Sequence, residues 1–316
     1  MTPSTTIEVC GLHIAFGAAE IVCGVDLAIG RGEAVGLVGE SGSGKSMTAL
    51  AIMRLLPRGA RVTAGDIRFE GRSLLKLSSR EMSLVRGRDV AMIFQDPLTA
   101  LNPAFTVGRQ LADAVRAHQA LPRRAALDRA AELLQLVGIT SPQARLAAYP
   151  HEFSGGMRQR VAIAMAVACQ PKLLIADEPT TALDVTVQAQ VVDLLARLRE
   201  ELGLAMLFIS HNLDLVAEIC DRVLVVYAGS IVEADEVHAL FGNPRHPYTQ
   251  ALLRCIPRLS DARGELPIIR GAPPRAGVHP SGCSFAPRCD HAFERCRVET
   301  PRAGDGRRVA CWLDSP

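Results

Sequence analysis

Short runs of apolar residues, closed by glycine or polar residues, divide the chain and predict its strands. Residues 7–33 alternate apolar and polar side chains, which is typical of antiparallel strands that turn at Gly17 and at 30–33. A later alternation predicts a hairpin over 222–233 that turns at 228–230. Continuous apolar runs predict buried strands at residues 34–38, 90–94, 172–176 and 204–209.

Helical spacing fills the intervals between these strands. Residues 104–150 are rich in alanine, leucine and arginine, and their apolar positions predict an insertion of two or three helices. Ser154 and Asp184 are good helix caps, and they predict helices over 157–169 and 185–202. The alternation of strands and helices predicts an α/β fold with a mostly parallel core sheet, to which the N-terminal residues add an antiparallel β subdomain.

The pattern changes near Asn243, where proline and arginine become frequent and the periodicity weakens. We therefore expect a first domain over residues 1–258, with a helical subdomain at about 100–168, and a small extension over 259–316.

Composition narrows the class of protein. With 48% hydrophobic and 22% charged residues the chain is globular, and its net charge of +2 does not argue for nucleic acid. No apolar stretch is long enough to span a membrane, and residues 1–8 lack the pattern of a secretory signal, so the cytosol is the default expectation.

The segment 39–46, GESGSGKS, fits the phosphate-binding pattern G-x-x-x-x-G-K-[ST], and it lies between a predicted strand and a predicted helix. Such glycines let backbone N–H groups turn toward an anion, and the helix N-terminus adds its positive dipole. A glycine-rich turn that binds nothing is the alternative, but the flanking elements argue against it. The expected nucleotide contacts are Gly39, Ser41, Gly42, Ser43, Gly44, Lys45, Ser46 and Met47.

Two carboxylates, Asp177 and Glu178, end a predicted buried strand. Parallel strands deliver their carboxyl ends to the ligand edge of a sheet, so Asp177 is expected in the Mg²⁺ shell with Ser46, and Glu178 near the γ-phosphate, where it would polarise water. A solvated acidic strand end explains one carboxylate better than it explains the pair.

Other candidates are weaker when each is taken alone. Gln95 and His211 both follow predicted strands; a glutamine there can ligate Mg²⁺ but is more often a polar loop residue, and a lone histidine is more often structural. Phe16 could stack on an adenine ring or lie in the core. Ser154, followed by Gly155 and Gly156, could expose N–H groups to an anion or be an ordinary cap.

The cysteines are unevenly distributed. Five of the nine are scattered through the chain, whereas Cys283, Cys289, Cys296 and Cys311 crowd the last 34 residues with the spacing C-x5-C-x6-C-x14-C. Four thiolates in a short, reduced tail are typical of a metal site. Composition leaves zinc and an iron–sulfur cluster open, and free or disulfide-bonded cysteines are the further alternative.

The order of these motifs resembles the ATP-binding subunits of ABC transporters over roughly residues 7–240. In this resemblance residues 39–46 are the Walker A loop and residues 154–159 the signature loop, in which Met157 replaces the commoner glutamine without touching the Ser-Gly-Gly part. The remaining roles are implied likewise: Phe16 for adenine stacking, Gln95 for the Q-loop, Asp177 for Walker B, Glu178 for the catalytic base, Thr181–Asp184 for the D-loop and His211 for the switch histidine.

The resemblance implies a mechanism shared between two cassettes. Each ATP would lie between the Walker A loop of one chain and the signature loop of the other, and motion would pass through the Gln95 loop to two membrane permease subunits. The chain would then act as a peripheral protein on the cytoplasmic face of the bacterial inner membrane. An ABC protein acting on ribosomes or DNA fits less well, since there is one cassette and little net charge. A nucleotide-binding regulator that does not hydrolyse ATP would lack the catalytic base, so the presence of Glu178 argues against this class.

Two segments, Asn243–Leu253 and Ser284–Cys289, resemble the oligopeptide/dipeptide/nickel importer ATPases. This branch implies import of peptides delivered by a solute-binding protein, and a partner cassette that is a different chain. It also implies a [4Fe–4S] cluster at Cys283, Cys289, Cys296 and Cys311, with zinc as the alternative.

Overall fold

We describe a computed structural model of the chain over residues 5–96, 100–181, 183–256, 268–303 and 308–314. The strands are β1 Thr5–Phe16, β2 Ala19–Gly30, β3 Ala34–Val38, β4 Ala60–Phe69, β5 Arg72–Ser73, β6 Val90–Ile93, β7 Leu173–Asp177, β8 Ala205–Ser210, β9 Arg222–Tyr227 and β10 Ser230–Glu236. The helices are α1 Lys45–Ile52, α2 Ser79–Val85, α3 Val107–Arg116, α4 Arg123–Leu136, α5 Pro142–Arg145, α6 Gly155–Val167, α7 Val185–Leu202, α8 Leu213–Ile219, α9 Val237–Gly242, α10 Pro247–Arg254 and α11 Glu294–Val298.

These elements form two compact units. The phosphate-loop unit consists of Glu8–Ala28, Ala34–Phe69 and the chain from Ser210 onward, so it includes the C-terminal extension. The helical unit consists mainly of Glu70–Ile209. The boundary expected at residues 258 and 259 lies outside the described residues.

In the phosphate-loop unit, β1 lies between β2 and β4, and β1 and β2 form the hairpin that the alternating pattern predicts, with its turn at Gly17. A second group of strands places β9 between β3 and β10. β3 runs parallel to β9, with Val35 opposite Arg222, and β10 returns antiparallel, with Ser230 opposite Tyr227. Every residue of β3 is buried, as a continuous apolar run requires.

The helical unit has a parallel sheet in which β7 lies between β6 and β8. Ile93 pairs with Ala176, and Asp177 pairs with Ile209, so these strands end at nearly the same level. Residues that follow β6 and β7 therefore share one edge of the sheet, which is where ligands bind in such sheets.

The predicted helices are present with small shifts at their ends. Residues 104–150 contain α3, α4 and the short α5. The helix predicted over 157–169 is α6, and it begins earlier, at Gly155, because Ser154 caps it directly and the signature glycines form its first turn. The helix predicted over 185–202 has these bounds in α7.

No helix in the described parts of the chain combines the length and hydropathy that crossing a bilayer requires.

Candidate functional site

The phosphate loop joins β3 to α1, in the strand–loop–helix order that the motif needs. α1 begins at Lys45, within the motif, and Gly44 precedes it in a left-handed conformation with φ 102°. The Lys45 side chain is buried, and its Nζ donates to the carbonyl oxygens of Gly39 at 2.8 Å and Glu40 at 2.9 Å. The ammonium group is thus held against the loop that would surround a phosphate.

Gly39 shows why the loop cannot carry side chains freely. A Cβ at this position would lie 2.1 Å from the backbone oxygen of Val226 on β9, far inside any contact distance. The loop therefore passes directly over the end of β9, and only glycine permits that approach.

The first variable residue of the loop, Glu40, is held by the C-terminal part of the chain. Both of its carboxylate oxygens accept hydrogen bonds from Arg288, at 2.6 Å and 2.9 Å, and the Arg288 side chain is only 4% exposed. Hydrogen bonding to Glu40 raises the pKa of the Arg288 guanidinium, which therefore stays charged. The Glu40 backbone N–H also donates to the Tyr248 hydroxyl at 2.9 Å.

Sequence reasoning missed Arg288 and Tyr248. Both lie in the two segments that were singled out only for their resemblance to the importer ATPases. No local pattern connects either residue to a loop more than 200 residues earlier. An arginine beside a predicted metal-ligating cysteine was the signal that the sequence offered.

Phe16 ends β1 and is 48% exposed, which excludes the core alternative for this side chain. Its ring edge lies 3.6 Å from where a Cβ would stand on Gly59. His211, in the same unit, follows β8 and is exposed. The sequence roles of both residues, in adenine stacking and as the switch histidine, stay predictions.

In the helical unit, Gln95 and Glu178 are brought together from the ends of adjacent strands. The Gln95 Nε2 donates to Glu178 Oε2 at 2.9 Å, and the Thr181 hydroxyl donates to the same oxygen at 3.0 Å. Glu178 has a left-handed backbone with φ 47°, which is uncommon for a residue other than glycine and is concentrated at functional sites. The carboxylate is therefore positioned by two side chains and by its backbone.

Asp177 is the last residue of β7 and is 5% exposed. Thr181 and Asp184 bound the predicted D-loop, of which Ala182 lies outside the described residues. Asp184 accepts a hydrogen bond from the backbone N–H of Val187 at 2.9 Å and caps α7, as its position predicted.

The signature loop is the first turn of α6. The Ser154 hydroxyl accepts from the backbone N–H of Met157 at 3.3 Å, so the residue that departs from the common pattern takes part through its backbone. A Cβ on Gly156 would stand 2.7 Å from Val187 Cγ1 on α7, whereas one on Gly155 would have only an ordinary contact at 3.8 Å with Leu183. Gly156 is thus required for close packing of α6 on α7.

The C-terminal extension packs on the phosphate-loop unit. Phe285 lies with its ring edge toward Tyr227, with centroids 5.3 Å apart, and Val309 forms an antiparallel bridge with Glu233 of β10. Buried Glu233 accepts hydrogen bonds from the backbone N–H groups of Arg245 at 2.9 Å and His246 at 3.0 Å.

The extension brings its four cysteines together around one cavity. Cys283, Cys289, Cys296 and Cys311 all line it, along with His246 and Trp312. Burial raises the pKa of the thiols of Cys283, Cys289 and Cys311, and neighbouring cysteines raise it further. Partly buried thiols grouped like this are stabilised as thiolates by a bound cation.

Backbone N–H groups point at these sulfurs. Those of Phe285 and Ala286 face Cys283, that of His291 faces Cys289, and those of Leu313 and Asp314 face Cys311. Hydrogen bonds to sulfur of this kind favour the thiolate and tune metal–sulfur centres. The residues present therefore fit a thiolate-bound metal group.

The positions of the four sulfurs can be compared with those of the thiolates in a zinc site. A single zinc ion, with Zn–S near 2.3 Å, needs its thiolates about 3.8 Å apart. Among the residues the structure describes, the group of ligand atoms that lie within 4.8 Å of one another consists of Glu20, Cys23 and His279, and includes none of the four cysteines. Within the described residues, the four cysteines line a common cavity without three of their sulfurs lying that close to one another.

Comparisons with known proteins agree with this geometry. The family model described as ABC transporter matches residues 22–181, and the model described as oligopeptide/dipeptide transporter, C-terminal region, matches residues 232–296. The chain is 52% identical over 294 residues to a probable peptide ABC transporter ATP-binding protein, y4tR, of Sinorhizobium fredii, covering 92% of this chain and 88% of that protein. It is 49% identical over 290 residues to the dipeptide transport ATP-binding protein DppD of Escherichia coli, covering 91% and 89%.

Solved structures show the same fold. The protein cbiO1 of Clostridium perfringens, part of the cbiONQ ABC transporter complex, superposes with a TM-score of 0.67 at 25% identity over 76% of this chain and 92% of that one. The ATP-binding cassette MJ0796, in a dimeric post-hydrolysis state with ADP and phosphate, gives 0.64 at 26% identity over 73% and 98%.

The phosphate loop on a strand–loop–helix unit, with paired strand-end carboxylates, defines a P-loop nucleotide-hydrolysing protein. Within that class, the chain belongs to the ABC transporter family as an ATP-binding subunit with ATPase activity, and its C-terminal region is of the oligopeptide/dipeptide transporter type. The predicted α/β cassette fold is thereby confirmed.

Proposed function

We propose that this chain hydrolyses ATP to power the import of di- or oligopeptides through a membrane transporter. Relatives that share about half of its residues are named as peptide or dipeptide transport ATP-binding proteins, and its C-terminal region matches that of the same branch. The chain would act from the cytoplasmic face of the bacterial inner membrane, as a peripheral subunit.

One observation carries the enzymatic part of the proposal: the Glu178 carboxylate, next to buried Asp177, is held by Gln95 and Thr181. Glu178 is the general base that takes a proton from the attacking water. Its contact with Gln95 gives the base a connection to the loop that follows β6, through which the state of the site would reach the membrane subunits.

The nucleotide contacts divide between two chains in this proposal. Phe16 stacks on the adenine of one ATP, and Gly39 and residues 41–47 bind its phosphates. The signature residues Ser154, Gly155 and Gly156 contact the γ-phosphate of the ATP held by a partner cassette. The relative MJ0796 is dimeric in its solved structure, which supports such a pair. His211 contacts the γ-phosphate of the ATP that is bound by its own cassette.

Magnesium fits the oxygen-bearing side chains that the three motifs supply. The Ser46 hydroxyl, the Gln95 side-chain oxygen and the Asp177 carboxylate would supply its protein oxygens, in keeping with the preference of Mg²⁺ for oxygen ligands. When bound, the ion neutralises negative charge on the transferred phosphoryl group.

The proposed partners are those implied by the resemblance to the peptide importer ATPases. We propose a second ATP-binding subunit of different sequence, two permease subunits and, indirectly, a solute-binding protein. No nucleic acid takes part.

Glu178→Gln tests the role of the base. In the assembled transporter this variant should retain ATP binding but lose at least about 100-fold in turnover, the usual contribution of a general base. Glu200→Gln, an exposed carboxylate on α7, is the matched control and should hydrolyse ATP normally. Unchanged hydrolysis by Glu178→Gln would remove Glu178 from the mechanism.

We also propose that Cys283, Cys289, Cys296 and Cys311 hold a [4Fe–4S] cluster. The shared cavity and the N–H groups directed at sulfur support a cluster, in which each thiolate binds a different iron. The cluster would offset the negative charge of the four thiolates and stabilise the extension.

Protein purified without oxygen should be brown and contain about four iron atoms per chain. Cys289→Ser should lose the colour, whereas Cys10→Ser, a thiol on β1, should keep it. Colourless protein with stoichiometric zinc at the four cysteines would refute the cluster while keeping a metal site.

A further inference from the structure

A second group of metal-ligating side chains lies in the phosphate-loop unit, away from the four cysteines. Glu20 and Cys23 are on β2, and His279 is in the extension, more than 250 residues later. A carboxylate oxygen of Glu20, the Cys23 sulfur and a ring nitrogen of His279 all lie within 4.8 Å of one another. A carboxylate, a thiol and an imidazole are three of the side chains that bind zinc in proteins.

The distances suit a single ion. With Zn–S near 2.3 Å and Zn–N near 2.0 Å, a tetrahedral centre separates sulfur from nitrogen by about 3.5 Å. The Cys23 sulfur lies 3.4 Å from Nε2 and 3.9 Å from Nδ1 of His279. Either ring nitrogen is therefore within a few tenths of an ångström of the required separation.

Hydrogen bonding selects Nδ1 as the ligand. The His279 Nε2 lies 2.8 Å from the backbone oxygen of Glu20, so it donates its proton there and leaves the Nδ1 lone pair for the metal. Metal-binding histidines are commonly oriented by such a bond from the second ring nitrogen to a carbonyl oxygen.

The Glu20 carboxylate has an orienting partner as well. Its Oε1 lies 2.6 Å from Nδ1 of His13 on the neighbouring strand β1. Such outer contacts hold a ligating carboxylate in place. The Cys23 thiol is half-buried, and burial, with a smaller contribution from Glu20, raises its pKa to about 12.

The three side chains lie between the C-terminal extension and a strand that is connected to the phosphate loop. The Cys23 backbone N–H donates to the Gly229 oxygen at 2.8 Å, and the Gly229 N–H donates to the Ser43 oxygen in the phosphate loop at 3.0 Å. On the other side, a Cβ on Gly277 would stand 2.2 Å from that of Ala19, so the extension passes directly against β2. The three side chains thus join the extension to a strand that is connected to the phosphate loop through Gly229.

We propose that Glu20, Cys23 and His279 bind one Zn²⁺ ion, with water at the fourth position, and that this ion fastens the extension to β2. Binding replaces the S–H bond of Cys23 by a Zn–S bond and releases that proton to solvent. The site is independent of the four-cysteine group and of the peptide transported.

Zinc stoichiometry of the full-length chain, measured by equilibrium dialysis after metal-free preparation, tests the proposal. Cys23→Ser and His279→Ala should each bind one equivalent less than the unchanged protein, and Glu20→Gln should weaken that equivalent about 10-fold or more. Cys10→Ser, which removes another β-strand thiol, should bind the full complement. Equal stoichiometry in all variants would overturn the site.

Cobalt as a probe separates this site from the four-cysteine group and guards against misfolded variants. The thiolate–cobalt absorption contributed by the new site should survive Cys289→Ser and disappear in Cys23→Ser. If Cys289→Ser removes all thiolate–cobalt absorption, no metal binds at Cys23 and the proposal fails.

Discussion

Breaking the ion pair between Arg288 and Glu40 should loosen the phosphate loop from a distance. Arg288→Met keeps most of the side-chain volume but removes the two hydrogen bonds that reach Glu40 at 2.6 Å and 2.9 Å. Removing one partner of a buried pair costs roughly 3–5 kcal/mol, since the remaining charge is left without compensation. Glu40 is 24% exposed, and water can solvate part of its carboxylate, so we expect the lower end, about 3 kcal/mol.

Urea unfolding of the chain measures this cost, with metal content determined on the same samples. Arg197→Met is the matched control. It removes an arginine on α7 that pairs with Glu201 at 3.7 Å and donates to the Leu136 backbone oxygen at 2.9 Å, and both charged side chains are about half exposed. Such surface pairs contribute under about 1 kcal/mol. The reasoning is refuted if Arg288→Met costs no more than Arg197→Met.

A double-mutant cycle with Glu40→Gln assigns the effect to the pair. The two single changes should be strongly non-additive, because each removes the same interaction. ATP affinity provides the functional measurement: if about 1.4 kcal/mol of the coupling serves to hold the loop, the Kd for ATP rises about tenfold. Tyr248→Phe removes only the hydroxyl that accepts from the Glu40 N–H, so its effect on ATP affinity should be smaller and in the same direction.

Three further changes have separate outcomes. Gly156→Ala should destabilise the chain by about 1 kcal/mol in urea unfolding, because its Cβ would stand 2.7 Å from Val187, whereas Gly155→Ala should not; equal effects would contradict the packing argument. Phe16→Ala should leave stability nearly unchanged, since the ring is half exposed, but weaken ATP binding by about tenfold if the ring stacks on adenine; a cost of 3 kcal/mol or more would mean a core role. Burial lowers the pKa of His246 from 6.5 to about 4, and its Nδ1 accepts from the Tyr248 N–H. The unfolded chain therefore binds the proton first, so the unfolding free energy should fall by about 3 kcal/mol as the pH drops from 6.5 to 4, and His246→Gln should flatten this dependence.

Arg288 connects the extension directly to the start of the phosphate loop through its hydrogen bonds to Glu40. Arg288 immediately precedes Cys289, and it also donates to the backbone oxygen of Arg270 at 2.9 Å. A change in the cysteine group that shifts residue 288 would therefore act on Glu40 at the start of the phosphate loop. Measuring ATP affinity before and after metal removal, in the unchanged chain and in Arg288→Met, would separate this route from a general loss of stability.

Much of the fold and of the candidate site could be predicted from local features of the sequence. The phosphate loop, the Ser154 cap and the Asp177–Glu178 pair each depend on neighbours within a few residues, together with a strand or helix whose periodicity is visible in the chain. Buried parallel strands are marked by continuous apolar runs, because both faces are covered. The order of these local features along the chain was sufficient to predict the family.

Tertiary structure alone decided which distant groups meet. Gln95 and Glu178 are 83 residues apart, and Arg288 and Glu40 are 248 apart, yet each pair is in direct contact. Periodicity reports which face of an element is buried, but it does not report which charged side chain crosses to which loop, because that depends on how the whole chain closes. For the same reason the exposure of Phe16 and the grouping of Glu20 and Cys23 with His279 became visible only in three dimensions.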